Sequence, residues 1–220
     1  MKLINLMVTL IVIALIGLIL FASAGTWDLP VVWLYLGIDV ALALAATFLI
    51  SAELMRERLR PGPGSLNDVV FLISCMVFLP AHWVLAGLDI GRYHWSAPFP
   101  LPLQGIGFTG FTASIALVIW AMNANPFLSS LIRIQNERGQ YVVSDGPYRF
   151  VRHPSYTGAI IYVVCSALAL GSWPAILPVL AWSAMLVPRT LREEDVLFKE
   201  LEGYVEYARQ VRFRLMPGLW

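Results

Sequence analysis

Long apolar runs alternate with short polar stretches along most of the chain. The first four runs cover residues 3–22, 29–51, 69–88 and 105–122. Each is close to the roughly 20 residues that an α-helix needs to cross the hydrocarbon core of a bilayer. We therefore predict four transmembrane helices in this part of the chain.

The first run follows a lysine and ends in Ala22-Ser23-Ala24, a sequence that also resembles a signal-peptidase site. The run is long for the apolar part of a signal peptide. We therefore expect it to be an uncleaved first helix.

A fifth apolar stretch, from Ser155 to Val187, is interrupted once by the sequence Gly171-Ser172-Trp173-Pro174. Each arm has about 13 to 17 residues, or roughly 20 to 25 Å of helix, which is short for a full crossing. The pattern predicts a tight helical hairpin. With its two arms, the chain has six apolar segments.

Arginines cluster in the polar stretches 53–65 and 123–145 and on both sides of the hairpin. The positive-inside bias assigns such stretches to the cytoplasm. We predict that both termini lie on this side, together with stretch 53–65 and its Pro-Gly-Pro-Gly turn. No linker, repeat or change in composition marks a domain boundary, so residues 1–220 are predicted to form one integral membrane domain.

The composition agrees with the pattern and excludes some partners. Hydrophobic residues make up 59% of the chain and charged residues 13%, with a mean hydropathy of +0.73; soluble domains have only about 45–50% apolar residues. The net charge of +1 gives no reason to expect nucleic acid as a partner. The three histidines and two cysteines lack the spacing of metal ligands, so we expect no metal.

Asp39 is an acid near the middle of the second apolar run. It could pair with a cation or line a substrate cavity, because ionisable residues inside membranes often mark functional sites. The alternative is a carboxyl that is neutral by burial or bonded to a neighbouring helix. We favour this second interpretation, a neutral or hydrogen-bonded carboxyl without a functional role.

The fourth run opens with Gly105-Ile106-Gly107-Phe108-Thr109-Gly110, which matches the GxGxxG pattern of dinucleotide-binding loops. No strand precedes it, and no acidic residue follows about 20 positions later, as that kind of site requires. Small residues at the start of a closely packed transmembrane helix explain the sequence better.

Two polar segments flank the hairpin. The first, residues 146–158, reads GPYRFVRHPSYTG; it is either a functional site at the membrane surface or a plain cytoplasmic connection. The second begins at Pro188 and leads to an amphipathic helix with Tyr204 and Tyr207 and a basic tail. Taken alone, the second is typical of a helix at the lipid surface.

The sequence Arg152-His153-Pro154-Ser155-Tyr156-Thr157-Gly158, followed after the hairpin by Glu193-Glu194, resembles a family of integral membrane methyltransferases. This is the isoprenylcysteine carboxyl methyltransferase and phospholipid methyltransferase type. The similarity includes residues 135–138, 146–148 and the Tyr204-x-x-Tyr207 pair, and covers roughly the C-terminal 100 residues. It implies an all-α polytopic bundle in which residues 1–102 supply N-terminal helices and residues 103–220 form the catalytic module.

The resemblance also implies a cofactor, an acceptor and the residues that bind them. The cofactor would be S-adenosylmethionine, entering from the cytoplasm. A lipophilic methyl acceptor would enter from the bilayer and face Arg189; a carboxylate such as that of a prenylated cysteine is the favoured class, with a phospholipid amine or a thiol as alternatives. The residues implied to enclose the cofactor are Gln135, Gln140, Tyr141, Val142, Val143, Tyr148, His153, Pro154, Ser155, Tyr156 and Glu193.

These residue types suit the implied chemistry. Aromatic faces such as Tyr148 and Tyr156 can attract a sulfonium cation, and the carboxylate of Glu193 can accept hydrogen bonds from ribose hydroxyls or an ammonium group. The guanidinium of Arg189 can bind a carboxylate through two parallel hydrogen bonds. Two other functions remain open: a membrane sterol or ene reductase that uses NADPH, and a membrane subunit without catalytic activity.

Overall fold

The structure is a computed structural model that describes residues 2–59 and 66–220. In those two ranges the regular elements are all helical and no strand occurs. The α-helices, in chain order, are α1 (Lys2–Ala24), α2 (Pro30–Leu49), α3 (Ala52–Leu59), α4 (Leu66–Leu88), α5 (Leu101–Ala124), α6 (Pro154–Leu170), α7 (Ile176–Glu200) and α8 (Tyr204–Gln210). The predicted all-α class is confirmed.

Four of these helices are long and apolar enough to cross a membrane: α1, α2, α4 with its continuation to Tyr93, and α5. Helix α6 has 17 residues and is shorter, while α7 has 25 residues and is charged in its C-terminal part. Helices α6 and α7 pack against each other and are joined by a short turn, so the predicted hairpin is present. The expected polytopic bundle is confirmed.

Glycines allow α5 and α6 to approach closely. A Cβ atom added to Gly107 would lie 2.4 Å from the backbone nitrogen of Ala169, and one added to Gly110 would lie 2.4 Å from Cys165 Sγ. Both distances are far shorter than a van der Waals contact, so a side chain at either position would separate the helices. The interpretation of this sequence as a packing motif is confirmed.

Asp39 is buried on α2 and accepts a hydrogen bond of 3.2 Å from the Tyr162 hydroxyl on α6. Nearby, the Ser166 hydroxyl contacts the Tyr35 hydroxyl at 2.9 Å and His82 Nε2 at 2.8 Å. These groups link α2, α4 and α6 inside the bundle. Asp39 is therefore bonded to a neighbouring helix, as the favoured interpretation predicted.

The C-terminal region contains the predicted amphipathic helix, whose sequence taken alone is typical of the lipid surface. Helix α7 continues to Glu200, and Gly203, with a φ of 82°, turns the chain into the short helix α8. Tyr204 and Tyr207 are buried because their rings pack with Tyr148 in a cluster beneath α8. This face of the helix contacts protein, so the pattern that taken alone is typical of a lipid surface is here a packing face.

Part of the polar stretch 53–65, predicted as a loop, is the helix α3. Its Glu57 carboxylate lies 2.6 Å from Arg133 Nη2, and its Glu53 carboxylate lies 2.9 Å from Arg138 Nη2. These ion pairs attach α3 to the loop that follows α5. The Pro-Gly-Pro-Gly turn and Ser65 lie outside the described residues.

Candidate active site

A cavity opens between the loop after α5, the segment before α6 and the end of α7. Its lining comes from residues within 125–134, 140–155 and 193–207. Concave sites with a few convergent polar groups are where small molecules usually bind. This cavity is therefore the candidate site.

Most residues that the resemblance assigned to the cofactor line this cavity. Segments far apart in the sequence supply them, because the α6–α7 hairpin brings the chain back to the end of the bundle from which α6 starts. The predicted residues in the lining are Gln140, Tyr141, Val142, Val143, Tyr148, His153, Ser155 and Glu193. Their binding of a cofactor stays a prediction.

Three predicted residues lie behind the lining. Gln135 is fully buried; its side-chain nitrogen donates to the Phe127 carbonyl at 2.6 Å, and its side-chain oxygen accepts from Arg138 at 2.6 Å. Pro154 is the first residue of α6, where its fixed φ and missing N–H suit a helix start. Tyr156 stacks on His153, with ring centroids 5.6 Å apart and planes at 5°. All three shape the lining from behind.

The Tyr156 hydroxyl connects Glu193 to Arg189. It donates a hydrogen bond of 2.5 Å to Glu193 Oε2 and accepts one of 3.0 Å from Arg189 Nε. Arg189 and Glu193 are one turn apart on α7, so both side chains reach the same partner on α6. The predicted catalytic and cofactor residues on this face thus form one hydrogen-bonded unit.

Arg189 is buried, with 5% of its surface exposed. Besides Tyr156, its Nη1 donates to Asp68 at 3.1 Å and its Nη2 donates to the Ser130 carbonyl at 2.8 Å. The guanidinium carbon lies 4.2 Å from the centroid of the Phe71 ring. Each guanidinium nitrogen therefore has a partner, and the side chain does not extend to a lipid headgroup.

Glu194, to which the sequence assigned no role, joins the motif to the C-terminal segment. It is 2% exposed and accepts hydrogen bonds from Arg152 Nε at 2.5 Å and Arg214 Nε at 2.7 Å. Burial raises the pKa of Glu194, but the contacts from His153, Arg152 and Arg214 outweigh it and lower the pKa to about 2. The carboxylate is therefore ionised at every physiological pH.

The C-terminal segment passes alongside the motif and holds it. The backbone nitrogens of Arg152 and His153 donate to the carbonyls of Phe213 and Arg214, each at 2.9 Å. The Thr157 hydroxyl donates to the Leu215 carbonyl at 2.6 Å. Taken alone, the basic residues of this tail resemble a headgroup anchor. Its contacts with the motif depend on the tertiary fold.

Two cavity-lining side chains have buried polar atoms without a hydrogen-bond partner in the described part of the chain: Arg133 Nε and Tyr204 Oη. Burial, and to a smaller extent Glu194, raises the pKa of Tyr204, so its hydroxyl keeps its proton and can donate. Unpartnered buried polar atoms are rare in native proteins and often mark a bound group. The donors here, together with the Glu193 carboxylate and the Tyr148 ring, fit a zwitterionic and cationic ligand such as S-adenosylmethionine.

Within residues 2–59 and 66–220, no group of three His, Cys, Asp or Glu side chains has an arrangement that could hold a metal ion. The histidine of the motif, His153, instead lies between two carboxylates, 3.8 Å from Glu193 and 3.4 Å from Glu194. The site is thus built from donors, acceptors and aromatic rings.

Residues 103–201 match the phospholipid methyltransferase family. Among curated proteins, the Delta(14)-sterol reductase of Mus musculus is 32% identical over 101 residues, 44% of this chain and 24% of the reductase. Protein-S-isoprenylcysteine O-methyltransferase B of Arabidopsis thaliana is 28% identical over 150 residues, 65% of this chain and 70% of that protein. The cobalt-zinc-cadmium resistance protein CzcN of Cupriavidus metallidurans is 28% identical over 134 residues, 58% of this chain and 56% of that protein. The matched region thus spans about a quarter of the reductase and over half of the other two.

The fold is also similar to that of a solved structure. The eukaryotic intramembrane Ras methyltransferase ICMT (isoprenylcysteine carboxyl methyltransferase), solved without a monobody, superposes with a TM-score of 0.63 and 19% identity, covering 94% of this chain and 74% of that one. This similarity extends to the N-terminal helices, which the family match does not include. The resemblance seen in the sequence is confirmed: the chain is similar to isoprenylcysteine carboxyl methyltransferases, and its residues 103–201 match the phospholipid methyltransferase family.

Proposed function

We propose that this protein transfers a methyl group from S-adenosylmethionine, bound in the main cavity, to a lipophilic acceptor that enters from the bilayer. The observation that carries the proposal is the arrangement of two unpartnered donors, Arg133 Nε and the Tyr204 hydroxyl, with the Tyr148 ring and the Glu193 carboxylate around one cavity. When bound, S-adenosylmethionine supplies an electrophilic methyl group on a positively charged sulfur.

The protein's own part in this reaction is to bind, orient and exclude water. Methyl transfer is a displacement that needs little acid or base when the acceptor is already nucleophilic, so rate enhancement comes mostly from alignment and electrostatics. The Glu193 carboxylate would accept hydrogen bonds from the cofactor, and the rings of Tyr148 and Tyr141 would cover it. Tyr156 fixes the position of Glu193 through its hydroxyl.

Titration of the purified protein with S-adenosylmethionine, and separately with NADPH, tests the proposal. We expect saturable binding of the first ligand alone. Binding of NADPH in its place would favour a reductase, the activity named for the mouse relative. Binding of neither ligand by folded protein would favour a membrane subunit without catalytic activity.

Three acceptor classes follow from the proposal. A prenylated-cysteine carboxylate is the class that the sequence favoured, and a phospholipid amine or a thiol are the others. Incubating the protein with methyl-labelled cofactor and a membrane lipid extract, and identifying the labelled product, separates them. We expect the label in an extractable lipophilic product.

Tyr204→Phe should weaken cofactor binding without destabilising the free protein. The hydroxyl has no partner among the described residues, so its removal takes away a donor for the ligand, worth about 0.5–1.5 kcal/mol or roughly twofold to tenfold in affinity. Calorimetric titration measures this loss. Tyr207→Phe is the matched control: its hydroxyl donates to the Tyr148 carbonyl at 2.8 Å, so this variant should lose stability instead. Unchanged affinity in Tyr204→Phe would remove this hydroxyl from the site.

We also propose that the cavity faces the cytoplasm, because the arginine-rich stretches lie on its side of the bundle. A single cysteine introduced at Glu206, on the exposed face of α8, should react with a membrane-impermeant reagent only after cells are opened. Reaction in intact cells would reverse the proposed orientation.

A further inference from the structure

A second, open groove lies beside α7 and α8, on a different face of these helices from the main cavity. The residues of α7 and α8 that line one do not line the other. Three of the groove-lining residues are apolar: Phe198, Val205 and Ala208. The other four are all arginines: Arg152, Arg209, Arg212 and Arg214. We call this site the arginine groove.

The positive charge of the arginine groove is only partly matched by acids. Within residues 2–59 and 66–220, the one acid that forms an ion pair with its arginines is the buried Glu194, at 2.5 Å from Arg152 Nε and 2.7 Å from Arg214 Nε. Arg209 and Arg212 are exposed, and their side chains form neither an ion pair nor a hydrogen bond in this part of the chain. Four positive charges thus meet one negative charge, so the groove attracts anions.

The groove lies at the level where α6 begins. Arg152 stands two positions before that helix, and its backbone nitrogen donates to the Phe213 carbonyl at 2.9 Å. Further along the C-terminal segment, the Leu215 carbonyl accepts from the hydroxyl of Thr157, in the first turn of α6, at 2.6 Å. Helix α6 is apolar and carries no charged residue, so its start lies near the membrane surface. The arginines of the C-terminal segment are therefore within reach of lipid head groups.

The C-terminal segment also exposes apolar side chains. Phe213, Met216 and Leu219 are exposed, and the guanidinium carbon of Arg214 lies 5.1 Å from the centroid of the Trp220 ring. Tryptophan is enriched where proteins meet the membrane–water interface. A phospholipid covers both kinds of group, because its head group meets the arginines while its acyl chains meet the apolar side chains. An acidic protein segment would leave the apolar side chains in water.

We propose that the arginine groove binds the phosphate group of an anionic phospholipid from the surrounding bilayer. Guanidinium groups bind phosphate oxygens through paired N–H donors. Arg209 and Arg212 have all their donors available for this, and Arg214 uses only Nε for Glu194 among the described residues. This inference goes beyond methyl transfer and does not depend on the orientation of the protein in the bilayer.

The bound lipid would hold the C-terminal segment against the motif that precedes α6. Arg152 lines both the arginine groove and the main cavity, and its Nη1 donates to the Val211 carbonyl at 2.9 Å. An anion between Arg212 and Arg214 would offset the repulsion among the arginines of this segment. We therefore expect anionic lipid to slow hydrogen exchange of the backbone amides of residues 212–216 by about threefold.

Native mass spectrometry tests the proposal, because it counts the lipid molecules bound to the delipidated protein in a neutral detergent. The protein is titrated separately with phosphatidylglycerol and with phosphatidylcholine of the same acyl chains. Both lipids contain a phosphate, but only phosphatidylglycerol has a net negative charge. We expect its first molecule to bind about tenfold more tightly than the first molecule of phosphatidylcholine. A decaglutamate peptide, the probe for an acidic protein partner, should not displace it.

The double variant Arg209→Gln and Arg212→Gln should lose the tenfold preference and keep its affinity for phosphatidylcholine. The matched control is Arg56→Gln with Arg149→Gln, which removes two exposed arginines outside the groove lining and should keep the preference. The midpoint of thermal unfolding without lipid should differ from that of the parent by less than about 3 °C in both variants. The reason is that exposed arginines without an ion pair contribute little to stability.

Equal affinity of the wild type for the two lipids would overturn the proposal, as would an unchanged preference in the groove variant. An equal loss of preference in the control variant would mean that net charge alone attracts the lipid, and displacement by decaglutamate would favour a protein partner. Unchanged hydrogen exchange of residues 212–216 with phosphatidylglycerol bound would overturn the placement of the lipid. None of these measurements uses S-adenosylmethionine, so their failure leaves the proposed function standing, and a failure to bind cofactor leaves this inference standing.

Discussion

Replacing Glu194 by glutamine is expected to destabilise the protein by about 3–5 kcal/mol, because it leaves buried arginine charge without its partner. Arg152 is 5% exposed at its side chain and would lose the shorter of the two contacts, at 2.5 Å. Arg214 would lose its bond to Glu194, and with it a link between the C-terminal segment and α7. Thermal unfolding in detergent measures the effect, which should lower the midpoint by on the order of 10 °C.

The neighbouring acid offers a matched control. Asp195 is exposed and, among the described residues, pairs only with Lys199 on the same helix, so Asp195→Asn should change stability by less than about 0.5 kcal/mol. Equal stability of Glu194→Gln and the parent would mean that the two arginines find other partners. In that case the proposed connection through Glu194 would be unnecessary for the fold.

The pH dependence of stability follows from the same carboxylate. The folded-state pKa of Glu194 is about 2, below its ordinary value of 4.5. A lowered pKa means that its contribution is fully present above about pH 4.5 and is lost as the pH falls toward 2. This lowering of the pKa corresponds to about 3 kcal/mol in the free energy of unfolding. Glu194→Gln should therefore lose less stability than the parent when the pH is lowered through this range.

Arg189→Lys is expected to lower turnover about 100-fold while changing the affinity for S-adenosylmethionine by less than about threefold. The guanidinium donates to Tyr156, Asp68 and Ser130 at once, and one ammonium cannot reproduce that planar geometry. The unit of Arg189, Tyr156 and Glu193 would shift, and a displacement of about 1 Å can cost about 100-fold in rate. Steady-state kinetics with the acceptor identified by the label screen, and calorimetry with the cofactor, measure the two quantities.

Arg56→Lys on the exposed surface of α3 controls for the substitution itself and should leave both quantities unchanged. Tyr156→Phe removes the hydroxyl that joins Arg189 to Glu193, so it should reproduce part of the loss in turnover. Parental turnover in folded Arg189→Lys would contradict a role for the guanidinium in alignment. A parallel loss of cofactor affinity would show that Arg189 acts on cofactor binding instead.

The sequence determined the membrane-spanning elements, since hydropathy and length alone are enough to locate helices that must satisfy their backbone hydrogen bonds inside lipid. It also indicated the α6–α7 hairpin, because arginines on both sides of an interrupted apolar run require its ends to lie on the same face. The packing role of Gly107 and Gly110 followed from the absence of a strand before them. The segments that contain most of the cavity lining were found through the family motif.

Only the tertiary structure decided the roles of residues whose partners are far away in the chain. Glu193 and Glu194 are adjacent and chemically alike, but successive helix positions point in different directions. Glu193 therefore faces the cavity, while Glu194 meets Arg152 and Arg214. In the sequence, Asp68 is an ordinary acid at the start of an apolar run. Its ion pair with Arg189 joins two residues that are 121 positions apart in the chain. Local sequence fixes the helices, but the contacts between them depend on how all the helices pack together.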